Sequence, residues 1–484
     1  MNDNELKSKV VSGLLLKYIE RIGVQGVQFI VSVILARLLT PEDYGIVAII
    51  SVFISISNVF IQSGFNSSLV QKKIVSEVDI SSAFFLSLAT AILIYILLFF
   101  TAPWIAKSYS QPILIPAIRI LSIVLIFNSV NAIQNALVVR AMAFKKSLYA
   151  NIAGILAQGI VGIAMALNGY GVWSLIFSQL SGQIAVCAAF AFVVHWKPIR
   201  VFSIDSIKAI YGFGSKIMVA EFLNYLFRYG YSLIIGKAYD SATLGYYNRA
   251  YSFPDIVTKN IDTTIATVML SAFSSKQDDL IKIHDMLSRT IKTSTFFMFP
   301  VLFGMAIVAK PLIQILLTEK WLPCVPYLQL NCILFLFTPL HIFDQAITAI
   351  GRSDKLLKLG IIKKLITVIS LIITVPIGVE AMIIGLIVTE VLASLINAFA
   401  NRRFFSYLYT QQLSDILPAL VVSIAMCMII SLFALINMTG LVLLICQITA
   451  GVVFYVVVSR LLRIDSYFYI KGMLVEMFYR KKSQ

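Results

Sequence analysis

Six positively charged residues lie inside long apolar stretches of the chain. A charge at bilayer depth costs roughly 2.5–3.5 kcal/mol on insertion scales, so such residues usually face a partner or a water-filled cavity. Arginine binds phosphate through charge-assisted, often bidentate hydrogen bonds. The chemistry available here is therefore recognition of an anionic, phosphate-bearing ligand. The six residues are Arg21, Arg119, Lys216, Arg228, Arg249 and Lys259.

Three of these cations have no clear acidic partner at helical spacing, namely Arg21, Arg228 and Arg249. Neighbouring side chains on a helix lie three or four residues apart, so these arginines cannot form a local ion pair. We predict that they hold the phosphate groups of the substrate along a cationic path. Arg249 also lies within a family-like motif described below, so a structural role is its alternative.

The other three cations allow simpler explanations. Lys259 has Asp255 four residues before it and Asp262 three residues after it, so an internal ion pair and substrate binding stay equal alternatives. Lys216 and Arg119 lie near the ends of their segments, where long side chains can reach the membrane interface.

Aromatic and amide side chains crowd the same segments. Tyr225, Tyr229 and Tyr251 could form a wall on which sugar rings stack, and Asn224 could add a polar contact. The alternative is an aromatic belt at the membrane interface. We predict that Glu20 and Glu221 are candidate carriers of an H⁺ or Na⁺ that is coupled to transport. The sequence contains no phosphate-binding loop or paired metal ligands, so we expect no cofactor, no metal and no enzymatic activity.

The composition indicates an integral membrane protein. Hydrophobic residues make up 59% of the 484 residues and charged residues only 13%, whereas soluble domains carry about 25% charged residues. A helix needs roughly 20 apolar residues to cross a bilayer. We predict fourteen such helices, near 14–38, 44–65, 81–105, 113–138, 147–168, 172–194, 209–236, 243–272, 293–310, 325–349, 357–378, 381–401, 415–436 and 439–460.

The basic residues predict the orientation of these helices. The chain holds 39 Lys and Arg against 23 Asp and Glu, and most of the basic residues fall in alternate loops. Cytoplasmic loops carry such an excess, so we expect both termini in the cytoplasm. The apolar and basic residues of 197–210 and 276–292 suggest helices that lie on the inner membrane surface.

A short sequence repeat relates two parts of the chain at an offset of 200. Ile34 to Arg37, followed by Tyr44 and Gly45, resembles Ile234 to Lys237, followed by Leu244 and Gly245. Transporter halves often arise by such duplication, with the substrate site between them. We therefore predict two six-helix lobes with a pseudo-twofold relation, residues 1–196 and 209–403. A linker at 197–208 joins them, and residues 404–484 add two helices and a basic tail.

Several motifs resemble those of the polysaccharide-transport flippases in the MATE-like MOP superfamily, nearest to the colanic-acid and teichuronic-acid exporters. They are Ile34–Gly45 (Ile-Leu-Ala-Arg-Leu-Leu-Thr-Pro-Glu-Asp-Tyr-Gly), Leu244–Ala250, Gly169–Leu175 and Glu319–Trp321. The resemblance implies fourteen helices in a bacterial cytoplasmic membrane. It also implies an undecaprenyl-diphosphate-linked oligosaccharide as substrate, and phosphate-binding roles for Arg21, Arg228 and Arg249.

We therefore expect a monomeric flippase that moves lipid-linked oligosaccharide repeat units outward by alternating access, for surface polysaccharide synthesis. The sequence leaves open whether H⁺, Na⁺ or no ion drives transport. A polysaccharide polymerase and a chain-length regulator are the expected protein partners. No binding of nucleic acid is expected. A peptidoglycan-precursor flippase remains an alternative. A MATE-type drug–cation antiporter is less favoured, because the predicted spans of the first lobe offer only Glu20 as an acid and cations predominate. A channel or scaffold is disfavoured by the paired halves.

Overall fold

The computed structural model describes residues 23–63, 69, 72, 75–277, 279–433 and 440–472, and within these residues it is helical with no β-strand. A π-helical turn, Val59–Ser63, follows the helix Pro41–Asn58. The 3₁₀ turns Glu319–Cys324 and Thr338–His341 precede the helices Val325–Phe335 and Ile342–Ala349. The helices are α1 (Gly23–Leu38), α2 (Pro41–Asn58), α3 (Glu77–Tyr109), α4 (Leu114–Leu121), α5 (Val124–Arg140), α6 (Phe144–Leu167), α7 (Val172–Val194), α8 (Ile204–Ala238), α9 (Ser241–Ser274), α10 (Leu280–Ile307), α11 (Ala309–Leu317), α12 (Val325–Phe335), α13 (Ile342–Ala349), α14 (Ser353–Thr374), α15 (Val379–Phe405), α16 (Tyr409–Leu432) and α17 (Gly440–Leu461).

The prediction of an all-helical, multi-pass membrane protein is confirmed. Within the described residues, ten helices or helix pairs are long and apolar enough to cross a bilayer. Their outer faces expose large apolar side chains, such as Phe100 and Trp104 on α3 and Phe192 on α7. Such exposure suits contact with lipid rather than water. Helices α8, α9 and α14 are also long but carry several charges. The number of fourteen crossings therefore stays a prediction.

The chain packs as two compact units, residues 1–245 and 246–484. In the first unit, Thr40 begins α2 with a capping box, in which its hydroxyl and the Asp43 carboxylate satisfy each other's backbone amides. Ile49 and Ile50 of α2, Ile118 of α4 and Leu125 of α5 are almost fully buried. The division into two six-helix lobes with a pseudo-twofold relation stays a prediction.

Two glycines bring helix backbones unusually close in the first unit. A Cβ added at Gly45 would lie 1.7 Å from the carbonyl oxygen of Ser241, and one added at Gly245 would lie 2.0 Å from that of Pro41. Each glycine therefore faces the first residue of the other helix, α2 or α9. These are the residues at which the sequence repeat aligns, since 41 and 241 share the offset of 200. Only glycine permits this approach.

Two apolar clusters form the core of the second unit. One joins Ile283, Leu287 and Ile291 of α10 with Phe343 of α13 and Phe405 of α15. The other lies between α10, α16 and α17.

A buried carboxylate ties three elements of this unit together. Asp415 on α16 accepts hydrogen bonds from Ser288 and Tyr407 and lies 3.3 Å from the Lys292 ammonium. Tyr407 precedes α16 and is fully buried. Burial and the bond to Asp415 raise the pKa of Tyr407, so its phenol stays protonated and keeps donating at physiological pH.

The structure differs from the two predicted surface helices, in the start of the first helix and in the packing of the second. Residues 195–203 form an irregular connection before α8, and the backbone amides of Ile199 and Ser203 donate to the hydroxyls of Ser81 and Ser82. Residues 280–292 are the first turns of α10, and their apolar stripe is buried in the core described above. An amphipathic stripe marks a buried face, and here that face meets protein rather than membrane.

Replacing Gly45 or Gly245 with alanine should destabilise the protein. The obstruction is backbone, which cannot rotate away as a side chain can, so overpacking should cost about 1–3 kcal/mol. The measurement is the thermal unfolding midpoint of the purified protein in detergent. Gly230→Ala is the matched control, because a Cβ there meets nothing within 4 Å. Equal midpoints for all three variants would contradict the close approach.

Candidate functional site

One stripe of α8 carries three of the eight residues predicted for substrate binding, together with Glu221, a candidate ion carrier. Asn224, Tyr225 and Arg228 lie three, four and seven residues after Glu221, and residues at these spacings share a helix face. Asn224 and Arg228 are exposed, and Tyr225 and Glu221 are half-buried. The sequence thus places an arginine, an amide, an aromatic ring and a carboxylate along one line.

Aromatic rings flank the arginine of this stripe. The rings of Tyr225 and Tyr229 lie 5.6 Å apart at an angle of 43°. The guanidinium carbon of Arg228 is 5.9 Å from the ring centre of Tyr229, within the range of a cation–π interaction. The arrangement can bind an anion through the guanidinium and an apolar sugar face through the rings.

Contacts to other parts of the first unit hold α8 in place. The Tyr109 hydroxyl at the end of α3 donates to the Leu233 carbonyl at 3.2 Å, and the Lys237 ammonium donates to the Ser108 hydroxyl at 2.7 Å. At the other end of the stripe, the Phe222 ring lies 5.3 Å from that of Phe60. The stripe is therefore presented by a helix fixed on both sides of Arg228.

The predicted site residues of α9 lie in the second unit, and two of them are packed against other elements. The Tyr251 ring lies 5.1 Å from Phe335 of α12, and the Arg249 guanidinium carbon lies 5.5 Å from the Phe253 ring. Arg249 is also within electrostatic range of the buried Cys324. This surrounding favours the structural alternative for Arg249. Lys259 is exposed.

Tyr246 connects two of the motifs that were noted in the sequence. The Tyr246 hydroxyl donates to the Lys320 carbonyl at 3.2 Å, and its ring stands perpendicular to that of Trp321 at 6.0 Å. Trp321 is fully buried. Tyr246 of the first motif thus packs against Lys320 and Trp321 of the second.

The structure therefore groups Glu221, Asn224, Tyr225, Arg228 and Tyr229 on α8, and Arg249 and Tyr251 on α9. Arg21 and Glu20 lie outside the described residues, and the same holds for the side chain of Lys216. The Arg119 guanidinium donates to the Phe99 carbonyl and lies 4.2 Å from the centre of the Phe99 ring, which suits a structural role. The cationic path stays a prediction.

Sequence reasoning missed a second polar cluster, which contains His341, Asp344, Lys363 and Glu390. None of these four residues was predicted as a site residue, and Lys363 lies within α14. The available signal was Glu390, a carboxylate inside an apolar run. A search for buried acids as well as buried cations would have found it.

Comparisons with solved structures define the class of protein. The lipid II flippase MurJ in its inward closed conformation aligns with 96% of this chain and 100% of its own, with a TM-score of 0.74 at 17% identity. An inward-facing MATE multidrug transporter of the MOP superfamily aligns with 81% of this chain and 98% of its own, with a TM-score of 0.64 at 13% identity. The chain has the fold of MOP-superfamily transporters.

The particular family follows from the sequence comparison. Residues 34–326 match the family described as polysaccharide biosynthesis protein, and the chain belongs to that family. The lipopolysaccharide biosynthesis protein WzxC of Escherichia coli is 22% identical over 87% of this chain and 88% of its own. The succinoglycan biosynthesis transport protein ExoT of Rhizobium meliloti is 23% identical over 72% and 71%. The teichuronic acid biosynthesis protein TuaB of Bacillus subtilis is 25% identical over 62% of each chain. The predicted family is confirmed.

Replacing Trp321 with alanine should destabilise the second unit. The change leaves a cavity under Tyr246, and truncation of a buried tryptophan costs about 3–5 kcal/mol. The thermal unfolding midpoint in detergent measures the effect. Trp104→Ala is the matched control, since 75% of the Trp104 surface is exposed. A larger loss for Trp104→Ala than for Trp321→Ala would refute the packing role.

Proposed function

We propose that the chain flips undecaprenyl-diphosphate-linked oligosaccharide repeat units from the inner to the outer leaflet by alternating access, for surface polysaccharide synthesis. The observation that carries this proposal is the α8 stripe, where exposed Arg228 stands beside the paired rings of Tyr225 and Tyr229. Family membership and relatives named for lipopolysaccharide, succinoglycan and teichuronic acid biosynthesis support it.

Arg228 binds the diphosphate in this proposal. A diphosphate crossing a low-dielectric region needs a fixed positive charge nearby, since two opposite unit charges at 4 Å attract by about 4 kcal/mol at an effective dielectric of 20. Arg21 and Lys259 extend the binding of charged groups. Tyr225, Tyr229 and Tyr251 contact the sugar rings, and Asn224 bonds their hydroxyl groups. Selection among glycans then depends on ring stacking and hydroxyl contacts.

An apolar groove in the second unit suits the polyprenyl tail. The groove has a volume of about 440 Å³ and lies between α10, α16 and α17. Phe297, Pro300, Val301 and Val452 are among the side chains that line it, and Gly304 and Gly451 leave it open. A surface of this kind contacts a hydrocarbon tail through van der Waals packing, since lipid tails are as apolar as the groove and add no hydrophobic driving force within the membrane.

The protein acts as a transporter rather than an enzyme. We place it in the bacterial cytoplasmic membrane as a monomer with both termini in the cytoplasm. A polysaccharide polymerase and a chain-length regulator use its product at the outer leaflet.

Replacing Arg228 with alanine should reduce polysaccharide export by about 10- to 100-fold, because a hydrogen bond to a charged group contributes about 1.5–3 kcal/mol. Arg228→Lys should retain an intermediate rate, because lysine keeps the charge but not the bidentate geometry. The measurement is surface polysaccharide in a deletion strain that carries each variant at equal abundance. A lipid-linked oligosaccharide should accumulate on the inner leaflet.

The control for Arg228 is Arg200→Ala, which removes an exposed arginine from the connection before α8. Normal export by a folded Arg228→Ala variant would refute the role of the stripe. Restoration of a peptidoglycan-precursor flippase mutant, with no effect on surface polysaccharide, would instead support the alternative substrate.

Filling the apolar groove should slow export without unfolding the protein. In Gly304→Leu the new Cβ meets only the Met426 methyl at 3.6 Å, an ordinary contact, so the side chain can enter the groove. Export in the deletion strain should fall several-fold, while the thermal midpoint in detergent stays within a few degrees of the wild-type value. Gly360→Leu serves as control, since Gly360 on α14 has open space around it. Equal export by both variants would exclude the groove from tail binding.

A further inference from the structure

A polar cavity of about 260 Å³ lies within the second unit, between α13, α14 and α15. Its size exceeds that of a single water molecule several-fold, and charged groups line it, so it holds water. The substrate site proposed above uses none of its residues. The polar residues of its wall are His341, Asp344, Lys363, Thr389, Glu390 and Asn397.

Two ion pairs line this cavity. The His341 Nε2 lies 3.5 Å from the Glu390 Oε2, and the Lys363 Nζ lies 3.6 Å from the Asp344 Oδ1. The first pair forms only when the imidazole is protonated, and histidine is the side chain whose charge changes between pH 5 and 8.

The ionisable groups that line the cavity can bind one additional proton. When His341 is neutral, Glu390 has no cation within 4 Å among the described residues. An unpaired carboxylate in a low-dielectric region is costly, and a proton on the neighbouring imidazole removes that cost. Half of the His341 side chain is accessible, so cavity water can deliver the proton.

The charged groups on the surrounding helices also favour binding of a proton at His341. Asp344 on α13 and Asp262 on α9 also act on His341, and both are acidic. Lys363 on α14 acts on Glu390, and α12 has no acidic or basic residue. On α10, Lys292 pairs with Asp415 and Lys282 pairs with Asp279, both elsewhere. The surroundings are therefore net acidic and favour cation uptake.

A buried amide gives a second sign of an occupant. Asn397 on α15 lines the cavity with only 4% of its surface exposed, and its Oδ1 has no hydrogen-bond partner among the described residues. A buried polar atom without a partner usually marks an ordered water or a bound ion.

We propose that His341 and Glu390 form the proton-binding site through which the pH gradient drives export, an inference that rests on the proposed flippase function. A proton entering through the cavity binds the imidazole and creates an imidazolium–carboxylate pair between the end of the 3₁₀ turn Thr338–His341 and α15. Release of the proton returns His341 to its neutral form and leaves Glu390 charged and hydrated. The two states hold these helices differently, as alternating access requires.

A titration of the substrate-free protein tests proton binding. The chain has only three histidines, so side-chain NMR of histidine-labelled protein gives three signals, and His341→Asn identifies the one from His341. This signal should titrate between about pH 5 and 8. Glu390→Gln should displace its midpoint, and Glu380→Gln, which changes an exposed glutamate on the same helix, should not. A signal that fails to titrate, or that ignores Glu390→Gln, overturns the proposal.

Export under an imposed pH gradient tests the coupling. Wild-type export should fall when an ionophore removes the gradient, by up to about tenfold for each unit of pH. Glu390→Gln and His341→Asn should export slowly with or without the gradient. Glu380→Gln and His195→Asn, which changes an exposed histidine, should behave as wild type. A dependence on Na⁺ that Glu390→Gln abolishes would assign the cavity to sodium and overturn the proposal.

The two measurements separate the two hypotheses. If the wild-type gene fails to restore polysaccharide in the deletion strain, the flippase function is wrong, and the NMR titration alone still decides whether the pair binds a proton. If export is restored but is insensitive to both the gradient and the Glu390→Gln change, the coupling role is wrong while the flippase function stands.

Discussion

The cost of an isolated charge in a low-dielectric environment governs this structure. Each ionisable group among the apolar helices must find a counter-charge, a hydrogen-bond partner or water. Asp415 meets this requirement with Ser288, Tyr407 and Lys292, and Arg119 meets it with a backbone carbonyl and a ring. Arg228 remains exposed on its helix, and Glu390 depends on a titrating partner. Charges with partners inside the protein are tolerated by the fold, whereas an exposed arginine and a titrating pair can bind substrate or protons.

The two proposed sites carry opposite charges that suit one transport cycle. An anionic headgroup that leaves the cytoplasm moves toward the positive side of the membrane, and each charge gains about 2.3 kcal/mol per 100 mV. A proton that enters the cytoplasm moves down the same potential. Both movements are therefore energetically favourable. An arginine that binds the headgroup and a histidine–glutamate pair that binds the proton can thus serve one cycle that exports the headgroup.

Sequence alone predicted the helices well, because about 20 apolar residues in a row have few other structures available. It also predicted the residues of the α8 stripe, since helical spacing places Tyr225 and Arg228 on one face. It failed where spacing is ambiguous. The stripe of Ile283, Leu287 and Ile291 has the same period whether it meets lipid or protein. The pairing of His341 with Glu390 joins residues about 50 positions apart and depends on how three helices pack, which local pattern does not encode.

The contact of Gly45 and Gly245 also limits how the gene can change. Each glycine faces main-chain atoms of the other helix, and no substitution elsewhere can make a main chain smaller. A mutation at either position therefore has no simple second-site suppressor at its partner, Ser241 or Pro41, because main-chain atoms of the partner obstruct the new side chain. Genetic selections for revertants should therefore restore a glycine codon at the mutated position, or recover substitutions elsewhere that tilt an entire helix.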